Sequence, residues 1–282
     1  SGMGLGVVER LIQLGWNVTI LDFNPKNGKE VEQRFAPQLQ YVKGNVVNYE
    51  DQANCFVQSW ERWGRLDLGW TPLRLSQGIG ERSNFYAPAE ENPDGSPKKP
   101  DTLVMDVCLQ GIVWTAYLAL HYFRKNESKA GKLVFNSSLS GLYPTPAMPL
   151  YSASKSGVVA LARSLGMRLK ELGEPITVNA ICPGCVPTPL VPQALVDALP
   201  GEHLTPMPTI VKAVEGFIDD ESLRGQVAEC SAHDVIFRQI LPYGNEASKF
   251  VTEGWYTMPM DYSAIMQWRE VKIAELEELL RS

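Results

Sequence analysis

Tyr151 and Lys155 are the residues of this sequence best suited to acid–base chemistry. Residues four apart lie on the same face of a helix, so the phenol and the ammonium would be neighbours. A phenol with an ordinary pKa near ~10 is a poor acid–base catalyst at neutral pH, but an adjacent positive charge favours the phenolate. Ser138, thirteen residues before the tyrosine, would hold an oxygen that is being reduced or oxidised.

The spacing of this pair is weak evidence alone, because a solvated pair on a surface helix has the same spacing. Its context is more informative. Residues 132–136 have the apolar composition of a buried strand, which would deliver Ser138 to the carboxyl end of a sheet. Open α/β sheets bind their ligands at that end. The context therefore favours a catalytic site over a surface pair.

Helices and short buried strands alternate along the chain, which predicts an α/β fold with a Rossmann-like, doubly wound parallel sheet in a single domain. The apolar periodicity ends the first helix at Gly15. The predicted strands are 17–21, 39–42, 132–136 and 176–181, and the later helices are 26–35, 49–63, 105–126 and 153–172.

At these residues the sequence resembles the short-chain dehydrogenase/reductases, along almost its whole length. Ser138, Tyr151 and Lys155 have the family's spacing, and Pro183-Gly184-x-Val186-x-Thr188 is similar to its motif after the sixth strand. Asp22 closes the second strand, where the family reads the adenosine ribose. The stretches around Asp22 and Pro183 look most like the branch of NAD-dependent 15-hydroxyprostaglandin dehydrogenases.

The resemblance implies hydride transfer between a nicotinamide cofactor and a lipophilic alcohol or ketone. Tyr151 would be the general acid or base, Lys155 would lower its pKa and bind the nicotinamide ribose, and Ser138 would position the substrate oxygen. Asp22 would accept hydrogen bonds from a ribose diol but repel a 2′-phosphate, which favours NAD over NADP. The alternative interpretation of Asp22 is a solvated carboxylate at a strand end. The cofactor-binding residues implied are Gly2, Gly4, Leu5, Asp22, Asn45, Val46, Tyr151, Lys155, Val186 and Thr188.

Three stretches depart from the family pattern. The family's glycine turn follows a buried first strand, but here only Gly2 and Gly4 of that turn are in place, so the first strand is predicted to be missing. Gly2 fits a flexible terminus or a tag remnant equally well. Residues 69–77 contain Pro72 and Arg74, which makes a fourth strand doubtful. Cys108 replaces the family's usual asparagine, and a plain core cysteine is its main interpretation.

Composition narrows the function classes. Of 282 residues, 44% are hydrophobic and 21% charged, and a net charge of -6 gives no general attraction for nucleic acid or an anionic membrane. No apolar run approaches ~18 residues and no leader pattern is seen. The five cysteines fit reduced thiols, and the scattered histidines suggest no metal site. We therefore expect a cytoplasmic protein whose partner is a small alcohol or ketone.

The expected organisation is a dinucleotide-binding domain over residues 1–261 with an amphipathic helix over 262–282. Residues 194–208 would form a substrate lid. Trp255 is interpreted first as a packing residue, and closure of Trp255 and Tyr256 over a substrate is the alternative. By analogy with the family, the helices at 105–126 and 153–172 would join a homodimer or homotetramer.

Two alternatives stay open. One is a non-redox relative that binds a ligand, catalyses an isomerisation or acts as an inactive partner because cofactor binding is impaired. The other is an incomplete or misassembled gene product of an ordinary dehydrogenase.

Overall fold

A computed structural model of the protein describes residues 1–71, 81–189, 191–254 and 262–281. The chain divides into two compact units, Ser1–Gln239 and Ile240–Ser282. The residues predicted to be a doubtful strand lie partly outside the described range, since only 69–71 are included. Trp255 and Tyr256 lie outside the described residues altogether.

The first unit alternates helices and strands in the predicted order. Its elements are α1 (Gly2–Gln13), β1 (Val18–Asp22), α2 (Pro25–Phe35), β2 (Leu39–Lys43), α3 (Tyr49–Trp63), β3 (Leu68–Thr71), α4 (Leu103–Met105), a π-helical turn (Asp106–Gln110), α5 (Gly111–Phe123), β4 (Gly131–Asn136), α6 (Pro149–Glu171), β5 (Ile176–Pro183), α7 (Gln193–Ala198), α8 (Met207–Asp219), β6 (Val227–Ser231) and β7 (Asp234–Phe237). Short 3₁₀ turns cover Leu139–Gly141 and Gly201–His203.

Local chemistry explains where several helices begin and end. The Asn24 side chain accepts hydrogen bonds from the backbone of Lys26 and Asn27, and Pro25 occupies the first helical position of α2. The Asn48 side chain accepts from the Asp51 N–H at the start of α3. Gly64, at φ 70°, ends that helix in the left-handed conformation, which glycine adopts without steric cost.

The strands form two sheets rather than one continuous sheet. β1 and β2 pair in parallel, while the second sheet has the order β3-β4-β5-β6-β7, parallel except for the antiparallel β6–β7 pair. Ser1 directly precedes α1, and the described chain places no strand between β1 and β3. The predicted Rossmann-like α/β class is confirmed.

The doubtful fourth strand is present, so that part of the prediction needs correction. Residues 68–71 form β3, and β3 pairs with β4 in the register Leu68↔Lys132 to Thr71↔Phe135. The buried Asn126 side chain accepts from the Leu66 N–H and fixes the chain just before β3. The described part of this strand runs to Thr71, and the residues that made the strand doubtful, Pro72 and Arg74, lie outside the described residues.

Apolar residues fill both faces of the five-stranded sheet. One cluster joins α5 and α6 to the sheet through Ala119, Phe123, Phe135 and Val158. The other joins α1 and α8 to its opposite face through Val7, Leu11 and Phe217. Helices therefore cover both faces, as the doubly wound architecture requires.

Among the described residues, one helical stretch, Leu103–Phe123, is long and apolar enough to cross a membrane. Half of its most apolar window is buried inside the fold, and a core helix passes the same length and composition test.

The second unit contains α9 (Glu246–Lys249), a π-helical turn (Phe250–Gly254) and α10 (Tyr262–Arg281). Helix α10 agrees with the expected C-terminal helix, and its described apolar side chains Ile273 and Leu276 are exposed. The domain boundary expected after residue 261 remains a prediction.

Candidate active site

Ser138, Tyr151 and Lys155 come together at the carboxyl end of the five-stranded sheet. Ser138 follows β4 and begins a 3₁₀ turn, where its Oγ accepts a hydrogen bond from the Ser140 N–H at 3.2 Å. Helix α6 begins at Pro149, four residues before the predicted start, because proline suits the first helical position. Tyr151 and Lys155 are therefore both helical and lie on one face.

Tyr151 is largely buried, and burial raises the pKa of its phenol to about 12, since the apolar surroundings disfavour the phenolate. A hydrogen bond with the Ser138 side chain acts in the opposite direction and lowers the pKa. This outcome differs from the expectation that Lys155 would hold the pKa of Tyr151 down. The effect of burial on the pKa of Tyr151 is larger than that of the hydrogen bond, so the phenol keeps its proton at neutral pH.

Lys155 is only 2% exposed, and its Nζ donates a hydrogen bond of 2.8 Å to the Asn136 backbone oxygen. That oxygen belongs to the last residue of β4, so the ammonium is tied to the sheet edge. The Nζ lies 5.7 Å from the centre of the Tyr151 ring. Burial lowers the pKa of Lys155, because the charged form has lost its hydration.

Ser137 and Gly141 fix the backbone around the lysine. The Ser137 Oγ donates a hydrogen bond of 2.8 Å to the Lys155 backbone oxygen. A Cβ on Gly141 would lie 2.6 Å from that Oγ and 2.7 Å from the same Lys155 oxygen. The turn after β4 can approach α6 this closely only with glycine at position 141.

Cys108 lies on the π-helical turn, fully buried, in a cluster against which Tyr151 packs. Burial raises the pKa of the Cys108 thiol, and the positive charge of Lys155 lowers it by a smaller amount. Cys182, at the end of β5, is also buried, and burial raises its pKa to about 11. Both thiols stay protonated at neutral pH, which supports their interpretation as buried packing residues.

Glu81 is a site residue that the sequence did not indicate. Its carboxylate accepts hydrogen bonds from the backbone N–H groups of Leu150 and Tyr151, each with a nearest approach of 3.2 Å. These N–H groups belong to the first turn of α6, where a negative charge is favourable. Glu81 is separated from Tyr151 by 70 residues, so no local spacing could reveal the contact.

The glycines of the expected cofactor turn lie at the start of α1. Gly2 is its first residue, with φ 62°, and the Leu5 N–H reaches the Ser1 oxygen at 3.4 Å. The N–H groups of Gly2 and Gly4 precede the first intrahelical bond, and such groups bind anionic phosphates in other proteins. This helix end therefore fits a pyrophosphate.

Asp22 ends β1 at the same edge, and its Oδ1 accepts a hydrogen bond of 2.9 Å from the Asn24 N–H. Asn45 follows β2, where its N–H donates to Asp51 and its side chain accepts from the Val47 N–H. The carbonyl of half-buried Val46 accepts from Gln52 Nε2 at 2.7 Å. An acceptor and loop residues beyond two parallel strands fit the adenosine end of a dinucleotide.

Val186 and Thr188 follow β5 on the other sheet. Val186 is buried in the cluster formed with α1 and α8, whereas Thr188 is half-buried and its carbonyl accepts from the Val191 N–H at 3.0 Å. The candidate cofactor residues thus divide between the two sheets. Apart from Tyr151 and Lys155 on α6, they lie at or after carboxyl strand ends or begin α1, which is the edge where such folds bind dinucleotides.

An α/β fold with a serine, a helical tyrosine and a buried lysine at this edge belongs to the class of Rossmann-like proteins. Comparison with known families then specifies the class further. The family model described as short chain dehydrogenase matches residues 1–197. The chain belongs to the short-chain dehydrogenase/reductase family.

Similar curated proteins carry related names. The short-chain dehydrogenase/reductase prx7 of Penicillium rubens is 38% identical over 223 residues, which is 77% of this chain and 77% of that protein. The prx6 protein of the same fungus is 30% identical, over 87% of this chain and 82% of its own. The mouse 15-hydroxyprostaglandin dehydrogenase [NAD(+)] is 25% identical, over 82% and 87%.

A solved structure described as ElxO with NADP bound has a TM-score of 0.66 with this chain and 18% sequence identity. The alignment covers 81% of this chain and 92% of that one. At this identity the likeness supports the fold alone.

Proposed function

We propose that this protein is an NAD(P)-dependent oxidoreductase that transfers a hydride between a nicotinamide and a lipophilic alcohol or ketone. The observation that carries the proposal is the partly buried Tyr151 phenol, hydrogen-bonded to Ser138 and one helical turn from the buried Lys155. Catalytic acids and bases are commonly groups with shifted pKa values in a cluster of this kind.

The nicotinamide, when bound, supplies or accepts the hydride. Tyr151 holds a proton at Oη at neutral pH, because its pKa is raised to about 12, and donates it to the oxygen of a ketone. Ser138 orients that oxygen through its hydroxyl. Oxidation of an alcohol needs the phenolate, so in that direction the rate should increase as the pH rises towards the pKa of Tyr151.

Lys155 carries a positive charge next to the phenol and favours the phenolate when Tyr151 loses its proton. Its hydrogen bond to the Asn136 oxygen holds the ammonium in position. With a cofactor bound, we assign Lys155 to the nicotinamide ribose and Val186 and Thr188 to the nicotinamide itself. Asp22 would accept from the adenosine ribose and favour NAD over NADP.

We also propose a lid and an assembly for this enzyme. Residues 194–208 would cover the substrate, and exposed Leu195 supplies an apolar contact for it. A homodimer or homotetramer would use α5 and α6, where Val113 and Tyr117 on α5 and Met167 on α6 expose apolar surface.

Titration with NADH and NADPH, followed by nicotinamide fluorescence, tests the proposal directly. We expect saturable binding with NADH preferred, and absorbance changes at the nicotinamide band with some members of a panel of apolar secondary alcohols and ketones. Tyr151→Phe should keep cofactor binding and lose about 10²–10⁴-fold in turnover. The proposal is falsified if neither cofactor binds.

A further inference from the structure

Helix α6 carries the proposed catalytic pair, but its own residues do not cap its first turn. Met148 precedes the helix, and its side chain makes no capping hydrogen bond. Pro149 occupies the first helical position and has no N–H, while the Ser152 N–H donates to the Met148 oxygen at 2.9 Å and begins the helical ladder. The N–H groups of Leu150 and Tyr151 therefore have no acceptor inside the helix.

Glu81 accepts from both of these groups. Its Oε2 lies 3.2 Å from the Leu150 nitrogen and 3.2 Å from the Tyr151 nitrogen. A short polar side chain directly before a helix commonly makes such bonds, and here a glutamate 70 residues before Tyr151 makes them instead. Its negative charge also suits the positive end of the helix dipole. The first turn of α6 is thus completed by a distant part of the chain.

The loop that follows Glu81 holds it in place; residues 81–101 are here called the 81–101 strap. At the base of the strap, the Asp101 N–H donates to the Ser83 Oγ at 2.7 Å, and the Ser83 hydroxyl donates to the Asp101 oxygen at 3.3 Å. Arg82 Nη1 lies 3.2 Å from Asp101 Oδ2. These contacts close the loop directly beside Glu81, so its carboxylate is attached to a fixed backbone.

The strap is joined to its surroundings at two further points. The Tyr86 hydroxyl donates to the backbone oxygen of Pro146, three residues before α6 begins. Asp101 Oδ1 accepts from the N–H of Leu103, the first residue of α4, at 2.9 Å. Leu103 and Tyr151 pack against the same buried cluster. The strap therefore contacts both the approach to α6 and the element that packs beside its first turn.

The cap bears on Tyr151 more than on Lys155. Tyr151 is the third residue of α6 and lies in its first turn, and helices fray at their ends. Lys155 lies one turn further along, is buried, and donates from Nζ to the Asn136 oxygen at 2.8 Å. Loss of the cap would loosen the phenol while the sheet still holds the ammonium.

We propose that Glu81 is a positioning residue for the Tyr151 phenol: by capping the first turn of α6 from the 81–101 strap, it holds the acid–base group beside Ser138. The role of Tyr151 in this inference rests on the proposed function, whereas the cap does not. Position is important at such a group, because a misplacement of ~1 Å can slow a reaction about 10²-fold. Glu81 acts through Tyr151 and is assigned no contact with substrate or cofactor.

Amide exchange of the protein without cofactor or substrate tests the cap. The Leu150 and Tyr151 amides should exchange at least about tenfold faster in Glu81→Ala than in the wild type, because the variant offers them no acceptor. Glu81→Gln keeps an acceptor oxygen and should keep most of the protection. The Val159 amide, in the middle of α6, should exchange at the same rate in all three proteins.

Steady-state kinetics test the positioning role. Glu81→Ala should lower kcat at least about tenfold, while the cofactor Kd and the KM change less than about twofold, because Lys155 and the proposed cofactor residues keep their places. Glu81→Gln should recover most of the lost kcat. The matched control is Glu90→Ala, which removes an exposed glutamate of the same strap that pairs with Lys98 at 2.7 Å. Its kcat should equal that of the wild type.

Unchanged exchange at Leu150 and Tyr151 in Glu81→Ala would overturn the proposal. Equal losses of kcat and cofactor affinity would also overturn it, because a general loss of structure has that result, as would a lowered kcat in Glu90→Ala. If Glu81→Ala does not fold, Ser83→Ala, which opens the base of the strap, should show the same changes at smaller size, and their absence would refute the inference. A wild-type chain that binds no cofactor contradicts the proposed function alone, since exchange in the free protein still decides the cap.

Discussion

Gly166→Ala tests how closely α6, the helix that carries Tyr151 and Lys155, packs against the sheet. A Cβ at position 166 would lie 2.2 Å from the Gly225 nitrogen, 2.6 Å from its Cα and 2.6 Å from the Val178 oxygen. All three are backbone atoms, so no side chain can rotate away. The Gly225 N–H donates to that same Val178 oxygen at 2.8 Å, which places a hydrogen bond at the point of collision.

The expected loss of stability follows from three contributions. Overpacking costs about 1–3 kcal/mol. Loss or weakening of the Gly225–Val178 hydrogen bond costs about 0.5–1.5 kcal/mol. The higher helix propensity of alanine stabilises the folded state by about 1 kcal/mol relative to glycine. The free energy of unfolding should therefore decrease by about 0.5–3.5 kcal/mol.

Two other helical glycines are matched controls. A Cβ on exposed Gly216 in α8 meets nothing within 4 Å, so Gly216→Ala should stabilise by about 1 kcal/mol through helix propensity alone. A Cβ on Gly157, in α6 itself, would meet only the flexible Leu109 side chain, at 3.0 Å. The change in unfolding free energy for Gly157→Ala should therefore lie between those of the other two variants.

Urea unfolding followed by circular dichroism measures this order, provided that the slope of the transition is unchanged. The midpoint should fall for Gly166→Ala and rise for Gly216→Ala. If Gly166→Ala unfolds at or above the wild-type midpoint while Gly216→Ala behaves as expected, α6 does not approach Gly225 as described. The packing argument for the position of Tyr151 and Lys155 would then fail.

Three further predictions concern single side chains. Tyr151→Phe should make stability less sensitive to pH between ~10 and about 12. The folded-state pKa of Tyr151 is raised, so its neutral phenol stabilises the fold below ~10, and this contribution is lost as the pH rises through about 12. Urea midpoints of both proteins at the two ends of this pH window measure the difference. Asp22→Ser should increase the ratio of NADPH to NADH affinity about tenfold or more, because a repulsion is removed, and an unchanged ratio would argue against Asp22 as the ribose acceptor. Glu81→Ala should lower the unfolding free energy by about 1 kcal/mol, and Glu81→Gln by less because its oxygen still accepts; equal losses would show that hydrogen bonding to α6 is unimportant.

Much of the fold could be predicted because helix and strand periodicities are local. Helix α3 has the predicted bounds, and β2 and β4 differ from prediction by one residue at one end. β3 was doubtful from the sequence because Pro72 and Arg74 follow it closely, and both are unfavourable in a buried central strand. Gly69 looks unfavourable there, yet a Cβ at this position would lie 2.6 Å from the Leu133 side chain. Packing by a distant residue, and not local propensity, selects glycine in that strand.

The candidate site was predictable in its residues but not in its electrostatics. Spacing alone placed Tyr151 and Lys155 on one helical face, as the structure has them. The depth of burial depends on the whole fold, and burial moves the pKa of Tyr151 up where the neighbouring ammonium was expected to move it down. Glu81 was missed for the same reason, since its contact with α6 joins distant parts of the chain.

Contacts between helices join the elements on either side of the proposed site. The buried Gln52 side chain of α3 donates to the Gly111 oxygen at 3.0 Å and accepts from the Thr115 Oγ1 at 2.7 Å, both on α5. On the opposite face, Arg10 of α1 pairs with Glu215 of α8 at 2.6 Å. Because α1 and α3 flank β1, which ends at Asp22, while α5 and α8 pack on the five-stranded sheet, these contacts help to fix the position of Asp22 relative to Tyr151.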